Sequence, residues 1–474
     1  LLVGVLLIGT FCTILNQTLL TTALPTLMKE FDISASSVQW LTTGFLLVNG
    51  IMIPISAWLI NKFSSKKLYI TAMSTFLIGT IICFVAQDFG MLLTGRLVQA
   101  AGVGVSMPLL QTIMLSIFPP EKRGAAMGTT GIVIGLAPAL GPTLSGWIID
   151  SYTWRDLFGM VIPIVVLVLI LASFLMKNVI QLSNPSIDVL SVILSTLGFG
   201  SLLYGFSSVG NKGWGSPQVY GFLIVGAIVL CLFTYRQLHL EQPFLELRVF
   251  KSKVFTVAAI LSGVTNMAMI GAEMVLPLYI QNIRGESAFH SGLMLLPGAL
   301  VMGLMMPVTG LIFDKIGARR LAITGMFILT AATLPFAFLT KATPIIYIIV
   351  LYAIRMFGIS MVMMPVTTSG MNALPMNLLS HGTAVNNTFR HVASSIGTAV
   401  LISVLTNVTK DGLPASDLLK TAPLTYRDQA TNATLNGYHA AFFVATIFGV
   451  LGLAITFFLN KKEAMHVTEV GAMK

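Results

Sequence analysis

The sequence predicts an all-α integral membrane protein, two six-helix bundles with two further helices inserted between them. Three observations lead there. Charged residues make up 9% of the chain against 55% hydrophobic, whereas an ordinary soluble domain carries roughly 25% charged residues. The apolar residues gather into about fourteen runs of membrane length. Two stretches from the first part of the chain return, altered, in the last part.

A chain this apolar, with a mean hydropathy of +0.89, cannot cover a soluble surface, so lipid is its solvent. The runs lie near 1–26, 39–60, 68–87, 90–118, 124–149, 157–176, 187–207, 217–235, 254–280, 288–313, 319–340, 343–370, 382–407 and 439–459. The first is too long for a signal-peptide core and reads as a true span. It opens on Leu1 rather than Met, so a preceding N-terminal piece is expected. The second ends in AWLINKFSSKK (57–67), and the fourth contains GRLVQAAGVGVSMPLLQT. The tenth ends in GLIFDKIGARR (310–320), an echo of the first loop, and the twelfth, IRMFGISMVMMPVTTSG, echoes the fourth. Both members of that second pair carry an arginine (Arg96, Arg355), then small residues, then Met-Pro. Parallel halves imply a bundle over 1–180, an inserted pair over 181–240 and a second bundle over 241–474. The segment 408–438 reads as the longest polar connector, placed outside.

Basic residues on the N-terminal side of the spans outnumber those on the other side about two to one, which puts both termini in the cytoplasm of a multi-pass plasma-membrane protein. Lys461, Lys462 and Lys474 are counted on the inner side. The net charge of +10 is scattered through short loops, so it marks orientation and not nucleic-acid binding. Cys12, Cys83 and Cys231 sit in apolar runs and offer no disulfide framework or metal spacing. No GxxxxGK[ST] loop is present, which argues against ATP as the driving force, and no nucleophile cluster suggests an enzyme.

The stretch 131–148, GIVIGLAPALGPTLSGWI, carries Gly131, Gly135, Pro138, Pro142 and Gly146 on one stripe at about 100° per residue. Bare backbone lets a neighbouring helix approach, and proline bends the span. This suits a moving part; it also suits an ordinary packing seam. In GLIFDKIGARR, Asp314, Lys315, Arg319 and Arg320 bracket the turn residue Gly317. Short charged loops at helix ends suit reversible locks, or simple topology-setting charge.

These stretches resemble the major facilitator superfamily, and in particular its fourteen-span drug:proton antiporter family. GLIFDKIGARR is similar to the superfamily's loop motif. RLVQAAGVG (96–104) is similar to its helix-4 motif, with Ala100 where glycine is usual. GIVIGLAPALGPTLSGW, which includes Gly141, resembles the helix-5 antiporter motif, and ILNQTLLTTALP (14–25) the helix-1 motif of the fourteen-span branch. The resemblance implies a major facilitator fold and a conformational gate formed by Asp314, Lys315, Arg319 and Arg320 with Gly131, Gly135, Pro138, Gly141 and Pro142. Asn16 stands where the helix-1 motif usually has an acid. Asn61, Ser64 and Ser65 replace Asp, Gly and Arg of the first loop motif, so the N-terminal gate lock is expected to be weak.

Charge inside hydrocarbon is costly and marks function by default. Glu273 lies well inside the ninth run, and a desolvated carboxyl can exchange protons near neutral pH. It is the first choice for proton carrier, with Arg96 as its modulator at a similar depth. A packing role for either residue stays open. Asn386, Asn387, Arg390 and His391 form a polar cluster in the thirteenth run, read as cavity lining or as a helix–helix network. His290 and His381 read as interfacial. The expected substrate cavity comprises Asn16, Gln99, Met267, Met269, Tyr352, Arg355, Asn386, Asn387 and Arg390. Thioethers adapt to varied ligands. The expectation is therefore an exporter of neutral, zwitterionic or monocationic amphipathic compounds. It needs no cofactor, is driven by the proton gradient and works as a monomer in the lipid bilayer. A dedicated exporter of a metabolite, peptide or lipid on the same fold is the alternative.

Overall fold

The structure, a computed structural model, describes residues 2–20, 23–183 and 185–459. Fourteen helices among them are long and apolar enough to cross a membrane. Numbering only these, the first six are α1 (Leu2–Leu19), α2 (Trp40–Lys62), α3 (Ser65–Phe84), α4 (Phe89–Ile117), α5 (Arg123–Ser151) and α6 (Val161–Leu175). The inserted pair is α7 (Val189–Lys212) and α8 (Pro217–His239). The last six are α9 (Lys253–Asn282), α10 (Ala288–Ile316), α11 (Ala318–Thr333), α12 (Ile345–Ser360, continued by Met363–Asn372), α13 (Leu379–Asp411) and α14 (Pro423–Thr456). Lys461, Lys462 and Lys474 lie outside the described residues.

Local chemistry sets several ends. Asp88, Ser252 and Ser287 accept backbone N–H groups of the first turns of α4, α9 and α10. Gly317 joins α10 to α11 with φ 79°, a conformation that favours glycine. Helix α12 breaks at Met361 and Val362, where Pro365 removes a donor and crowds the carbonyl four residues back. Helices α13 and α14 run well past their apolar cores, to Asp411 and back to Pro423. The expected polar connector 408–438 is therefore mostly helix: TYRDQATNATLNG has no proline or internal glycine to stop one.

The two bundles meet along two seams. Helix α5 packs on α10 along its whole length, and α2 packs on α13. Helix α7 reaches into the second seam and touches both α2 and α13. Leu203 covers Gly50 of α2, and Ile402 of α13 covers Gly210. Helix α8 lies outside α7 and exposes Ile224, Ile228, Leu232 and Tyr235, as a lipid-facing helix should.

Candidate functional site

On the face that carries the α2–α3 and α10–α11 loops, the bundles are shut. Asp314 at the end of α10 accepts the N–H of Gly124 at 2.9 Å and of Ala125 at 3.0 Å, capping the N-terminus of α5. A Cβ on Gly310 would lie 2.2 Å from the Gly124 carbonyl oxygen, and one on Gly131 would lie 2.2 Å from Met306 Sδ. The Gly131–Gly135 side of the stripe is thus the surface on which α10 rests. Gly141 faces Thr18 of α1 instead. Arg123 Nη1 donates to Asn372 at 3.0 Å, a contact from α5 to α12. Lys315, Arg319 and Arg320 make no ion pair among the described residues.

Asn61 nonetheless bonds across the seam. Its amide lies 2.9 Å from His381 Nε2 and 2.7 Å from Ser380 Oγ, across the α2–α13 seam. The Glu246 N–H donates to His381 Nδ1 at 3.2 Å. In a neutral ring Nε2 then carries the hydrogen, so Asn61 turns its oxygen to His381 and its nitrogen to Ser380. His381 is part of this lock and not an interfacial residue. Ser65, in place of arginine, bonds Asn178 beyond α6.

From mid-membrane toward the opposite face the bundles part around a cavity of about 490 Å³. Its walls come from α1 (Ile14, Gln17), Gln39 just before α2, α2 (Asn49), α4 (Met107, Pro108), α5 (Ile134, Pro138), α7 (Phe206, Ser207, Asn211), α9 (Asn266, Met269, Glu273) and α13 (Asn387, Arg390, His391, Ser394). At 1.5 Å rise, Glu273 sits roughly 13 Å below the Asn282 end of α9. The Arg355 and Tyr352 side chains lie within electrostatic reach of it. Asn387 is held by Gln111 Oε1 at 2.7 Å, which ties α13 to α4 beneath the cavity.

Of the expected cavity residues, Met269, Asn387 and Arg390 line it and the others do not. Arg96 Nη1 donates to Asn16 Oδ1 at 2.6 Å and to Gln99 Oε1 at 2.9 Å, and its guanidinium lies 4.2 Å over the Phe45 ring. Gln99 in turn donates to Thr80 at 2.9 Å. Arg96, Asn16 and Gln99 therefore form a buried brace inside the first bundle, away from Glu273. Arg355 is the repeat counterpart: it donates to Thr333 Oγ1 at 3.0 Å and to the carbonyls of Ala268 and Met269. Each arginine of the α4–α12 repeat thus pins its own helix to a backbone carbonyl of the bundle's first helix, Asn16 of α1 or Ala268 of α9. Met267 packs on Gly397 and Tyr352 on Gly298, as knobs over bare backbone. Asn386 is buried with its Nδ2 unpartnered. The α7 wall, Phe206, Ser207 and Asn211, and Gln39 opposite it were not expected. Asn211 donates to Gln39 Oε1 at 2.8 Å across the mouth, while Gly198 and Gly205 on the other side of α7 face Leu230 and Leu223 of α8.

Two bundles with a closed face, an open cavity and matching halves are a transporter's geometry. The family model of the Major Facilitator Superfamily matches residues 6–398. The chain belongs to this superfamily. Members of this superfamily are transporters, not enzymes, and the chain is a multi-pass membrane protein. It is 52% identical to the uncharacterized MFS-type transporter YcnB of Bacillus subtilis, over 98% of this chain and 95% of that one. It is 42% identical to the lincomycin resistance protein LmrB of the same organism, over 97% and 96%. The crystal structure of the human organic anion transporter MFSD10 superposes with a TM-score of 0.66 at 14% identity, over 96% of this chain and 98% of that one, and so shares the fold.

Proposed function

We propose that this superfamily member exports amphipathic small molecules in exchange for protons, by alternating access, from the cytoplasm across the plasma membrane. The observation that carries the reading is Glu273, a carboxyl inside a span that lines the cavity between the bundles. A group that holds a proton in a dry environment and sheds it in a wet one couples to any motion that changes its hydration. The likeness to a lincomycin resistance protein supports outward movement of a foreign compound. The mixed walls, apolar with scattered amides and hydroxyls, suit neutral, zwitterionic or monocationic amphipaths. Basic residues gathered on the closed face support the reading that this face and both termini are cytoplasmic. The protein works as a monomer without a cofactor, and the proton gradient is its energy source.

The test is uptake of rhodamine 123 into everted vesicles or inside-out proteoliposomes under an imposed pH gradient, interior acid. Wild type accumulates the dye and the Glu273→Gln protein does not. Full gradient-driven uptake by Glu273→Gln would remove the carboxyl from the coupling.

A further inference from the structure

Arg96, Arg355 and Arg390 lie deep within their spans, and the third differs from the other two. Arg96 and Arg355 each donate to several oxygens of their own bundle. Arg390 donates to no oxygen among the described residues. Its Nη2 lies 4.0 Å from Met363 Sδ, and its Nε is buried without a partner. None of the ion pairs among the described residues includes it. Yet it is a wall residue of the cavity, flanked there by His391 and Ser394.

A guanidinium presented to a largely apolar cavity without an acceptor is an uncompensated charge. Its planar fork of donors matches the two oxygens of a carboxylate. Nearby Asn387 cannot take the role, because its amide nitrogen already serves Gln111 and the Thr383 carbonyl. Glu273, on α9, is the one acid among the described residues lining the same cavity. The hollow therefore offers one anion-binding and one cation-binding group in a single space of about 490 Å³, enough for a drug-sized ligand.

We propose that Arg390 is the anion subsite of the cavity and Glu273 its cation subsite, so that the favoured ligands are zwitterionic amphipaths bearing a carboxylate and a basic nitrogen. This rests on the export reading above and narrows its substrate class. It also explains why the charged side chain of α13 is left unpaired while its two counterparts are braced: the missing partner arrives with the ligand.

Rhodamine 110 and its methyl ester, rhodamine 123, differ in the one carboxylate at issue. Equilibrium binding of each is measured by fluorescence anisotropy with the purified protein in phosphatidylcholine nanodiscs, whose lipid has no net charge. For wild type, rhodamine 110 binds the tighter. In Arg390→Gln its affinity falls about tenfold or more, the loss of one charge-assisted fork, while rhodamine 123 stays within about twofold. Arg390→Lys keeps a cation and recovers part of the difference, and it serves as the folding control. An Arg390→Gln protein that loses both dyes equally, or neither, overturns the anion subsite. So does a wild type that favours the ester. A protein that discriminates the dyes as described but moves neither in vesicles overturns the export reading and leaves the subsite standing.

Discussion

Asp314 and Gly124 meet across the boundary between the two bundles, the carboxylate Oδ1 accepting the glycine N–H at 2.9 Å while Oδ2 takes that of Ala125. The acid at the end of α10 thereby caps α5, whose first amides have no partner within their own helix and whose dipole favours negative charge. The lock joins a side chain to the end of a helix, so it can open without breaking either helix. Asp314→Asn keeps the shape, removes the charge and sets an NH2 donor against one of the two backbone N–H groups. It should weaken closure by at least about 1 kcal/mol, roughly a fivefold shift in population. In a cysteine-free background carrying Ser380→Cys, the rate of thiol labelling rises by that factor. An unchanged rate would mean that the cap does not hold this face shut.

Gly310→Ala tests the same seam by volume. The added methyl would stand 2.2 Å from the Gly124 carbonyl oxygen, so backbone must move. The α5 and α10 helices separate on this face, Ser380→Cys labelling increases, and export falls steeply. Gly4→Ala has no heavy atom within 4 Å and serves as the reference, with a stability change within about 0.5 kcal/mol. Equal behaviour of the two variants would sink the close-approach argument.

Asn61→Ala removes both contacts to Ser380 and His381 and leaves His381 Nε2 unpartnered in a buried setting. A buried donor without a partner costs about 1–3 kcal/mol. The expected result is a lower thermal midpoint together with faster labelling at Arg123→Cys, on the neighbouring seam. A protein whose midpoint matches wild type would show the neutral lock to be dispensable.

Asp188→Asn probes the inserted pair and carries a pH signature. Arg236 Nε and Nη2 donate to the carboxylate at 2.8 and 2.9 Å, and this pairing holds Asp188 below the usual carboxylate range. A lowered value means stability that is present above the unfolded pKa, about 3.9, and is lost as pH falls through the folded value. The pair is partly exposed, with side-chain exposures of 36% and 20%, so the gain at neutral pH is about 1 kcal/mol or less. The thermal midpoint of wild type should exceed that of Asp188→Asn by a constant margin from neutral pH down to about pH 4 and converge below it. A margin that closes between pH 8 and 6 would point to a different group.

The membrane spans were legible because each buries its backbone alone and announces itself by length and apolarity. The turn at Gly317 was legible too, since glycine there meets a positive φ. Placement of polar side chains within the spans was not. Asn16 and Gln99 read as cavity residues because both are amides at the right depth. Depth says nothing of azimuth, and both turn inward to Arg96. Asn61 read as a weakened lock because the acid of the motif was missing. Its partners, Ser380 and His381, lie some 320 positions away and supply neutral bonds in place of charge. The contribution of α7 was hidden for a related reason: an inserted helix has no counterpart in the repeat, so nothing in the pattern tells whether it stands in lipid or in the seam.

Helix α7 grips Gly50 of α2 through Leu203 and receives Ile402 of α13 over Gly210. If the bundles swing apart as the proposed alternating access requires, a rod clasped by both has to let go of one of them. The extra hairpin would then act as a clutch, travelling with whichever bundle holds it more firmly. Leu203, Gly210 and Ile402 also line the cavity, so shifting the balance of those two handholds would alter the cargo's walls as well as which bundle carries the clutch.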